Sequence, residues 1–200
     1  MQHLEDRTYI TVILVILLVT LWGCVSSSSV REDRIDEILI DGNVFIKKGS
    51  YERAEMVFLD ALQELPASPR ILYNLGVVYA LQGDFSHSLT TFQSLNELTS
   101  MANVKYLKAL AGAAVAGTSF EIAIDAWQQV VKLDPLDSET RLKLIQLLID
   151  VENYEEAYTQ ARTAYSLDQY SKQLFKHLSF LEVERGLGDG VSWELIADTY

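Results

Sequence analysis

The residues best suited to chemistry in this 200-residue chain are one cysteine, Cys24, and three histidines, His3, His87 and His177. A single cysteine excludes a disulfide within the chain and the cysteine-rich kind of structural zinc site. The histidines are far apart, and none has a nucleophile or a metal ligand at a spacing that would bring the two together. The sequence therefore predicts a protein that is not an enzyme and that binds no metal and no cofactor.

The charge balance narrows the classes of partner. The chain carries 28 acidic and 16 basic residues, a formal charge of −12. Nucleic acids and anionic lipid surfaces are bound through basic faces, so the balance argues against both. Apolar residues make up 49% of the chain and only three residues are proline, which favours a folded, all-helical protein.

The N-terminus has the pattern of a leader. Residues 10–21 form an apolar run of about a dozen residues, shorter than the roughly 20 that span a bilayer and typical of a signal peptide. Leu21, Gly23 and Cys24 then resemble the end of a bacterial lipoprotein signal, although Trp22 departs from the small residue usual there. In that family the leader is cut before the cysteine, which is lipidated.

The resemblance implies a signal peptide over 1–23 and a lipidated Cys24 at the start of a flexible tether over 24–34. It also implies a lipid-anchored protein of the bacterial envelope, with the outer membrane favoured and the folded domain facing the periplasm. The alternative is an uncleaved anchor in the inner membrane, because residues 9–30 are long enough to span a bilayer.

A 34-residue register runs through most of the remaining chain. Its units are 35–68, 69–102, 104–137 and 138–171, and the second contains Leu72, Leu75, Gly76 and Tyr79 as L-x2-L-G-x2-Y. This pattern resembles the tetratricopeptide repeat (TPR), a pair of helices joined by a turn. The resemblance implies an all-α TPR solenoid of about four helix-turn-helix repeats.

Small residues and aromatic residues recur at fixed places in the register. The small ones are expected where the two helices of a unit approach closely, and the aromatic ones are expected to fill the space between units; they are Gly42, Gly76 and Ala111, and Phe58, Phe92 and Trp127. Gly49 and Gly83 are expected at left-handed helix ends. Thr118 and Asn153, each three residues before a glutamate, are expected to cap helices.

The C-terminal part continues the helical pattern. Residues 172–186 have apolar residues at helical spacing and predict a capping helix with a polar outer face. Residues 187–200 follow as a glycine-rich tail, expected either to fold back on that helix or to serve as a recognition peptide for a partner.

In TPR proteins the first helix of each unit lines a groove that binds a peptide. The resemblance places Leu39, Asn43, Arg70, Tyr73, Asn74, Val77, Lys105, Lys108 and Lys143 in that groove, with Ile46, Gly112, Leu142 and Gln146 in a wider set. The lysines predict a locally basic face, and an acidic peptide would gain from it. Three positions of the carboxylate clamp of chaperone-binding TPR domains also match, at Asn43, Asn74 and Lys105.

Lipoproteins with TPR arrays resemble the pilotins and accessory proteins of pilus and secretion systems, including the Flp (tight-adherence) type. We therefore expect a scaffold that binds a protein or peptide partner, for example a secretin or another pilus component, and no nucleic acid. An adaptor for peptidoglycan enzymes or for outer-membrane protein insertion is the second hypothesis. An enzyme or small-ligand protein is the third, and it would need a closed polar pocket.

Overall fold

A computed structural model describes residues 30–200, so Cys24 and the leader lie outside the described residues. Within the described range the chain forms helices and no strands, which confirms the predicted all-α class. The helices are α1 (30–47), α2 (Tyr51–Glu64), α3 (Pro69–Gln82), α4 (Phe85–Leu98), α5 (Val104–Ala116), α6 (Phe120–Leu133), α7 (Ser138–Asp150), α8 (Tyr154–Ser166), α9 (Lys172–Glu184) and α10 (Val191–Ala197).

The described residues fall into two compact units, one ending at residue 66 and the other covering 67–200. The described part of the first unit contains α1 and α2. In the second unit each helix packs against the next, from α3 through α10. Four helix-turn-helix pairs result, and each leaves an apolar face that its neighbours cover.

Glycine at one position of the register lets the two helices of a pair approach closely. A Cβ atom built on Gly42 would lie 2.2 Å from the Phe58 ring in the first unit, and one on Gly76 would lie 2.8 Å from the Phe92 ring in the second. The predicted close approach is confirmed at both glycines. Each of these phenylalanines packs directly on the glycine of its own helix pair. The sequence pattern predicts these rings in the space between pairs.

The core of the second unit is aliphatic and rich in alanine. Fully buried side chains come from α5, α7 and α9, including Leu107, Leu144, Ile145, Leu148, Leu174, Leu178 and Leu181. Alanines on α6 and α8, including Ala123, Ala157 and Ala161, are buried as well, so the second helix of each pair lies close to its neighbours. Burial of this apolar surface is what stabilises helices too short to persist alone.

One buried charge joins α7 to two later segments. Arg141 is only 3% exposed, and its guanidinium donates to Gln160 Oε1 at 2.9 Å, Gln169 Oε1 at 3.2 Å and the Pro135 carbonyl at 3.0 Å. Burial lowers the pKa of Arg141, and the charge of Asp137 opposes that effect. The hydrogen bonds compensate for the lost hydration of the cation and fix the turn before α9 against α7.

Two segments differ from the sequence-based domain boundaries. Residues 30–34, expected within the flexible tether, are helical and belong to α1, where Arg34 and Glu37 form an ion pair one turn apart. The expected tail contains α10. Gly190, with a φ of 70°, makes the turn into this helix, and Trp193 packs on both Tyr165 and Phe175. The tail thus folds back on α9, which was one of the two expected alternatives, and forms a second helix there.

Replacing Gly76 by alanine should lower the free energy of unfolding by about 1–3 kcal/mol, the usual cost of forcing a methyl group into a packed contact. Chemical denaturation of the variant measures this change. Gly112 on α5 provides a matched control, because a Cβ there would meet nothing within 4 Å. Gly112→Ala should instead raise the free energy of unfolding by about 0.5–1 kcal/mol. Equal effects of the two substitutions would contradict the close-approach explanation.

Candidate peptide-binding face

The first helices of successive pairs in the second unit, α3, α5 and α7, form a face with two apolar pockets. The first, here the Tyr73 pocket, has a volume of about 280 Å³ and lies between α3 and α5. Its lining comes from those two helices and from one aromatic ring of α4, and consists of Tyr73, Val77, Ala80, Leu81, Phe92, Ala109, Gly112, Ala113 and Ala116. No charged side chain is among them, so this pocket suits an apolar group.

The second, here the Leu142 pocket, has a volume of about 430 Å³ and lies on the other side of α5. Its apolar part is made by Val115, Trp127, Leu142 and Leu147, and its polar rim by Glu139, Lys143, Gln146, Asp150 and Gln173. This pocket could hold an apolar side chain while the rim contacts the backbone or a polar neighbour of that side chain.

Tyr73 is held in place by rings from two other helices. Its ring centroid is 5.9 Å from that of Phe92 on α4 and 5.6 Å from that of Tyr106 on α5. Lys105 Nζ lies 4.0 Å from the centroid of the Tyr73 ring, a distance at which the cation is attracted to the ring face. Tyr73 therefore belongs to both the wall of its pocket and the α3–α5 contact.

Two of the predicted groove cations have carboxylate partners within the chain. Lys108 Nζ is 2.6 Å from Asp137 Oδ2, and Lys143 Nζ is 2.6 Å from Glu139 Oε1. Burial tends to raise the pKa of Asp137, but hydrogen bonds from Lys108 and Thr140 outweigh it and hold this pKa below its usual value. The hydrogen bond from Lys143 likewise lowers the pKa of Glu139. Two of the lysines on this face are thus paired with carboxylates of the same chain.

The other predicted groove residues are placed as follows. Asn74 is half-buried, and its side-chain amide donates to the Arg70 carbonyl of the same helix at 2.7 Å, so this amide is engaged within α3. Arg70 is exposed at the start of that helix. Leu39 is half-buried and Asn43 exposed, and both lie on α1 in the first unit. The structure thus brings Tyr73 and Val77 into one pocket and places Lys143 at the other.

Several pocket residues were outside the sequence-based set. Leu81 and Ala116 lie one helical turn beyond Val77 and Gly112, so extending the register along each helix would have found them. Trp127 and Gln173 line the Leu142 pocket but come from α6 and α9. Sequence reasoning counted one as core and the other as part of a cap, and neither carries a signal that assigns it to the face.

His177 joins α9 to the rim of the Leu142 pocket. Its imidazole Nε2 is 3.0 Å from Gln146 Oε1, and the Gln146 amide donates to Asp150 Oδ1 at 2.8 Å. Because the amide oxygen accepts, Nε2 carries the proton. Nδ1 is buried and has no hydrogen-bond partner among the described residues. Burial lowers the pKa of His177, and the charge of Asp150 opposes that effect. The neutral imidazole fits this site.

Among the described residues, no group of three or more His, Cys, Asp and Glu side chains could hold a metal ion. The same part of the chain contains no helix with the length and apolar character needed to cross a bilayer.

Comparison with known proteins identifies the repeat. Residues 42–96 match the family model described as "Tetratricopeptide repeat". The array in the described residues is a tetratricopeptide-repeat fold. The helix pairs α1–α2, α3–α4, α5–α6 and α7–α8 lie within the four units of the sequence register, and α9–α10 adds a further pair. A search of the curated proteins finds no match.

Solved structures show the same fold at low sequence identity. A crystal structure of MamA is 18% identical with a TM-score of 0.70, covering 82% of this chain and 89% of that one. A MamA fragment from Desulfovibrio magneticus RS-1 is 19% identical with a TM-score of 0.67, covering 84% and 92%. YrrB, described as a TPR protein with an unusual peptide-binding site, is 18% identical with a TM-score of 0.64, covering 78% and 80%.

The His177 site predicts a stability that falls as the solution becomes acidic. The folded-state pKa is below the ordinary value of 6.5, so the unfolded chain binds the proton more readily. The stabilisation is complete above the unfolded pKa and is lost as the pH falls below about 6.5. Urea unfolding at pH 7.5 and pH 5.5 should show this loss, and His177→Gln should reduce it. Equal pH dependence in the wild type and in His177→Gln would contradict the assignment.

Proposed function

We propose that this protein is a non-enzymatic, membrane-tethered TPR scaffold that binds a segment of a partner protein through the α3–α5–α7 face. The observation that carries the proposal is the pair of apolar pockets on one face, one on each side of α5. Pockets of about 280 and 430 Å³ accommodate single large side chains of a polypeptide. They are open clefts between helices and have no converging acid, base and nucleophile that catalysis would need.

The comparisons support binding at the level of the fold. YrrB, which shares the helical arrangement, is described as having a peptide-binding site. At 18% identity that likeness carries the architecture and not the ligand, so the pockets of this chain define what it would bind.

The membrane tether is proposed from the sequence alone. The run of 10–21 followed by Leu21-Trp22-Gly23-Cys24 is the feature that supports it. A doubly or triply acylated cysteine holds a protein firmly at a membrane, whereas a single chain of myristoyl length does not. We propose that Cys24 is acylated and that the array faces the periplasm, with the outer membrane as the favoured site.

We further propose that the bound partner is a component of a pilus or secretion apparatus, for example a secretin. The layout supports this choice, since a short interaction module on a lipid anchor can hold a subunit beside the membrane in which it assembles. The alternative is an adaptor for peptidoglycan enzymes or for outer-membrane protein insertion. The identity of the proteins captured by the face separates the two.

The double substitution Tyr73→Ala and Val77→Ala should reduce partner capture about tenfold or more. It removes two apolar walls of the Tyr73 pocket, and each large apolar contact contributes on the order of 1.5–3 kcal/mol. The measurement is cross-linking of the tagged full chain in envelopes followed by mass spectrometry.

Because Tyr73 also packs on Phe92 and Tyr106, the thermal unfolding of the double variant is recorded in parallel. Leu133→Ala serves as the control, since Leu133 is an exposed apolar residue of α6 and lines neither pocket. Capture of a secretin or pilus component that is lost only in the folded double variant supports the proposal. Capture of hydrolases or insertion-machine subunits supports the alternative, and capture unaffected by the double variant contradicts binding through this face.

Replacing Cys24 by serine should abolish incorporation of a labelled fatty acid and leave the leader uncut. The thiol is the only group in the chain that can form the thioether of this modification, because Cys24 is the sole cysteine. Labelling of cells followed by gel analysis of the immunoprecipitated chain measures both effects. A wild-type chain that takes up no label and keeps its leader would contradict lipidation and favour the signal-anchor alternative.

A further inference from the structure

Gly112 in the middle of α5 has no role in folding that the structure reveals. Glycine weakens a helix interior relative to alanine, so its presence there calls for a reason. At Gly76 the reason is the Phe92 ring, which leaves no room for a side chain. At Gly112 a Cβ atom would meet nothing within 4 Å, and the residue is exposed. The missing side chain therefore leaves open space on the outer surface of the helix.

That open space lies on the helix that separates the two apolar pockets. Gly112 is part of the Tyr73 pocket, and Val115 on the same helix is part of the Leu142 pocket. A chain that fills both pockets has to cross α5 between them. Glycine permits a polypeptide backbone to approach a helix more closely than any other residue does.

The pockets are apolar, and the cations around them already have partners. Lys108 and Lys143 are paired with Asp137 and Glu139, and Lys105 lies on the Tyr73 ring. An acidic ligand would have to compete with these carboxylates, so charge complementarity favours an uncharged segment. This differs from the acidic peptide expected from the lysines alone.

The spacing of the pockets indicates the form of the ligand. They lie on either side of one helix, so their centres are roughly 10 Å apart, the diameter of a helix with its side chains. A polyproline II segment advances about 3.1 Å per residue and returns to the same face every third residue. Two side chains three positions apart are then about 9 Å apart and point the same way.

We propose that this face binds an extended, uncharged segment of the partner protein that crosses α5 at Gly112 and places large apolar side chains, three residues apart, in the Tyr73 and Leu142 pockets. The inference rests on the proposed function of the face and specifies the chemistry of the segment it takes.

The test uses the full chain in a neutral detergent and three labelled, proline-rich peptides of ten residues, each with a photoreactive group. One peptide carries two phenylalanines three positions apart, the second carries them five positions apart, and the third carries two glutamates three positions apart. The yield of covalent adduct on α3, α5 and α7 is compared among the peptides. The first should exceed the other two about tenfold, since each of them loses at least one apolar contact.

The variant Gly112→Leu places a side chain in the crossing and should lower the adduct yield of the first peptide about tenfold. Leucine also favours helix over glycine, so the variant should unfold at a temperature equal to or above that of the wild type, which excludes misfolding as the cause. Ser94→Leu is the matched control, because Ser94 is an exposed residue of α4 that lines neither pocket. It should leave the yield unchanged.

Equal yields from the three peptides, no adduct with the first, or an adduct indifferent to Gly112→Leu would each overturn the inference. Envelope capture with the same variant separates this failure from failure of the proposed function. A partner that is lost in the Tyr73 and Val77 double variant but retained in Gly112→Leu supports the proposed scaffold function and contradicts only the extended crossing at Gly112. If no captured partner depends on the face, the proposed scaffold function itself is contradicted.

Discussion

The close contact between a glycine on the first helix of a pair and a phenylalanine on the second is the constraint on which the rest of the array depends. With Gly76 facing the Phe92 ring, α3 and α4 approach more closely than two helices with ordinary side chains could. The Phe92 ring also packs on Tyr73, one turn before Gly76 on the same helix, and forms part of the Tyr73 pocket. The contact that holds the pair together thus also shapes the surface available to a ligand.

The electrostatics of the face follow from the same packing. When α7 is brought beside α5, the start of α7 comes within reach of Lys108, and Asp137 accepts hydrogen bonds from this lysine and from the backbone and hydroxyl of Thr140. The carboxylate caps its own helix and neutralises a cation of the neighbouring one. Although the sequence of this face contains several lysines, two of them, Lys108 and Lys143, are paired with carboxylates of the folded chain.

Local signals in the sequence predicted the helices and turns of the array well, because every repeat has to form the same helix ends and helix contacts. Gly49 and Gly83 adopt the expected left-handed conformation, and Asn153 accepts a hydrogen bond from the Glu156 backbone as expected of a cap. Thr118 does not cap α6: it adopts a positive φ of 58°, and Ser119 precedes the helix instead. Threonine rarely takes that conformation, so the sequence could not indicate that the turn would force it.

The candidate face was harder to predict than the fold, since the direction in which a side chain points depends on how helices from different repeats meet. Tyr73 and Val77 could be placed from the register. The register assigns only the first helices of the four repeats to the face, however, and Trp127 and Gln173 reach the Leu142 pocket from α6 and α9. The ion pair between Lys108 and Asp137 could not be predicted either, because these residues are 29 positions apart and no local sequence pattern links them.

Gly76 and Gly112 are two glycines of this chain whose surroundings differ. Both stand inside first helices, at neighbouring positions of the repeat, and both lose the helix-forming advantage of a side chain. At Gly76 the close approach of Phe92 explains the residue completely, whereas at Gly112 the surroundings are empty. Gly112 thus weakens the helix without permitting any close contact among the described residues. The space around a Cβ built on a glycine therefore distinguishes a glycine required by packing from one that leaves the surface open, which the register alone does not do.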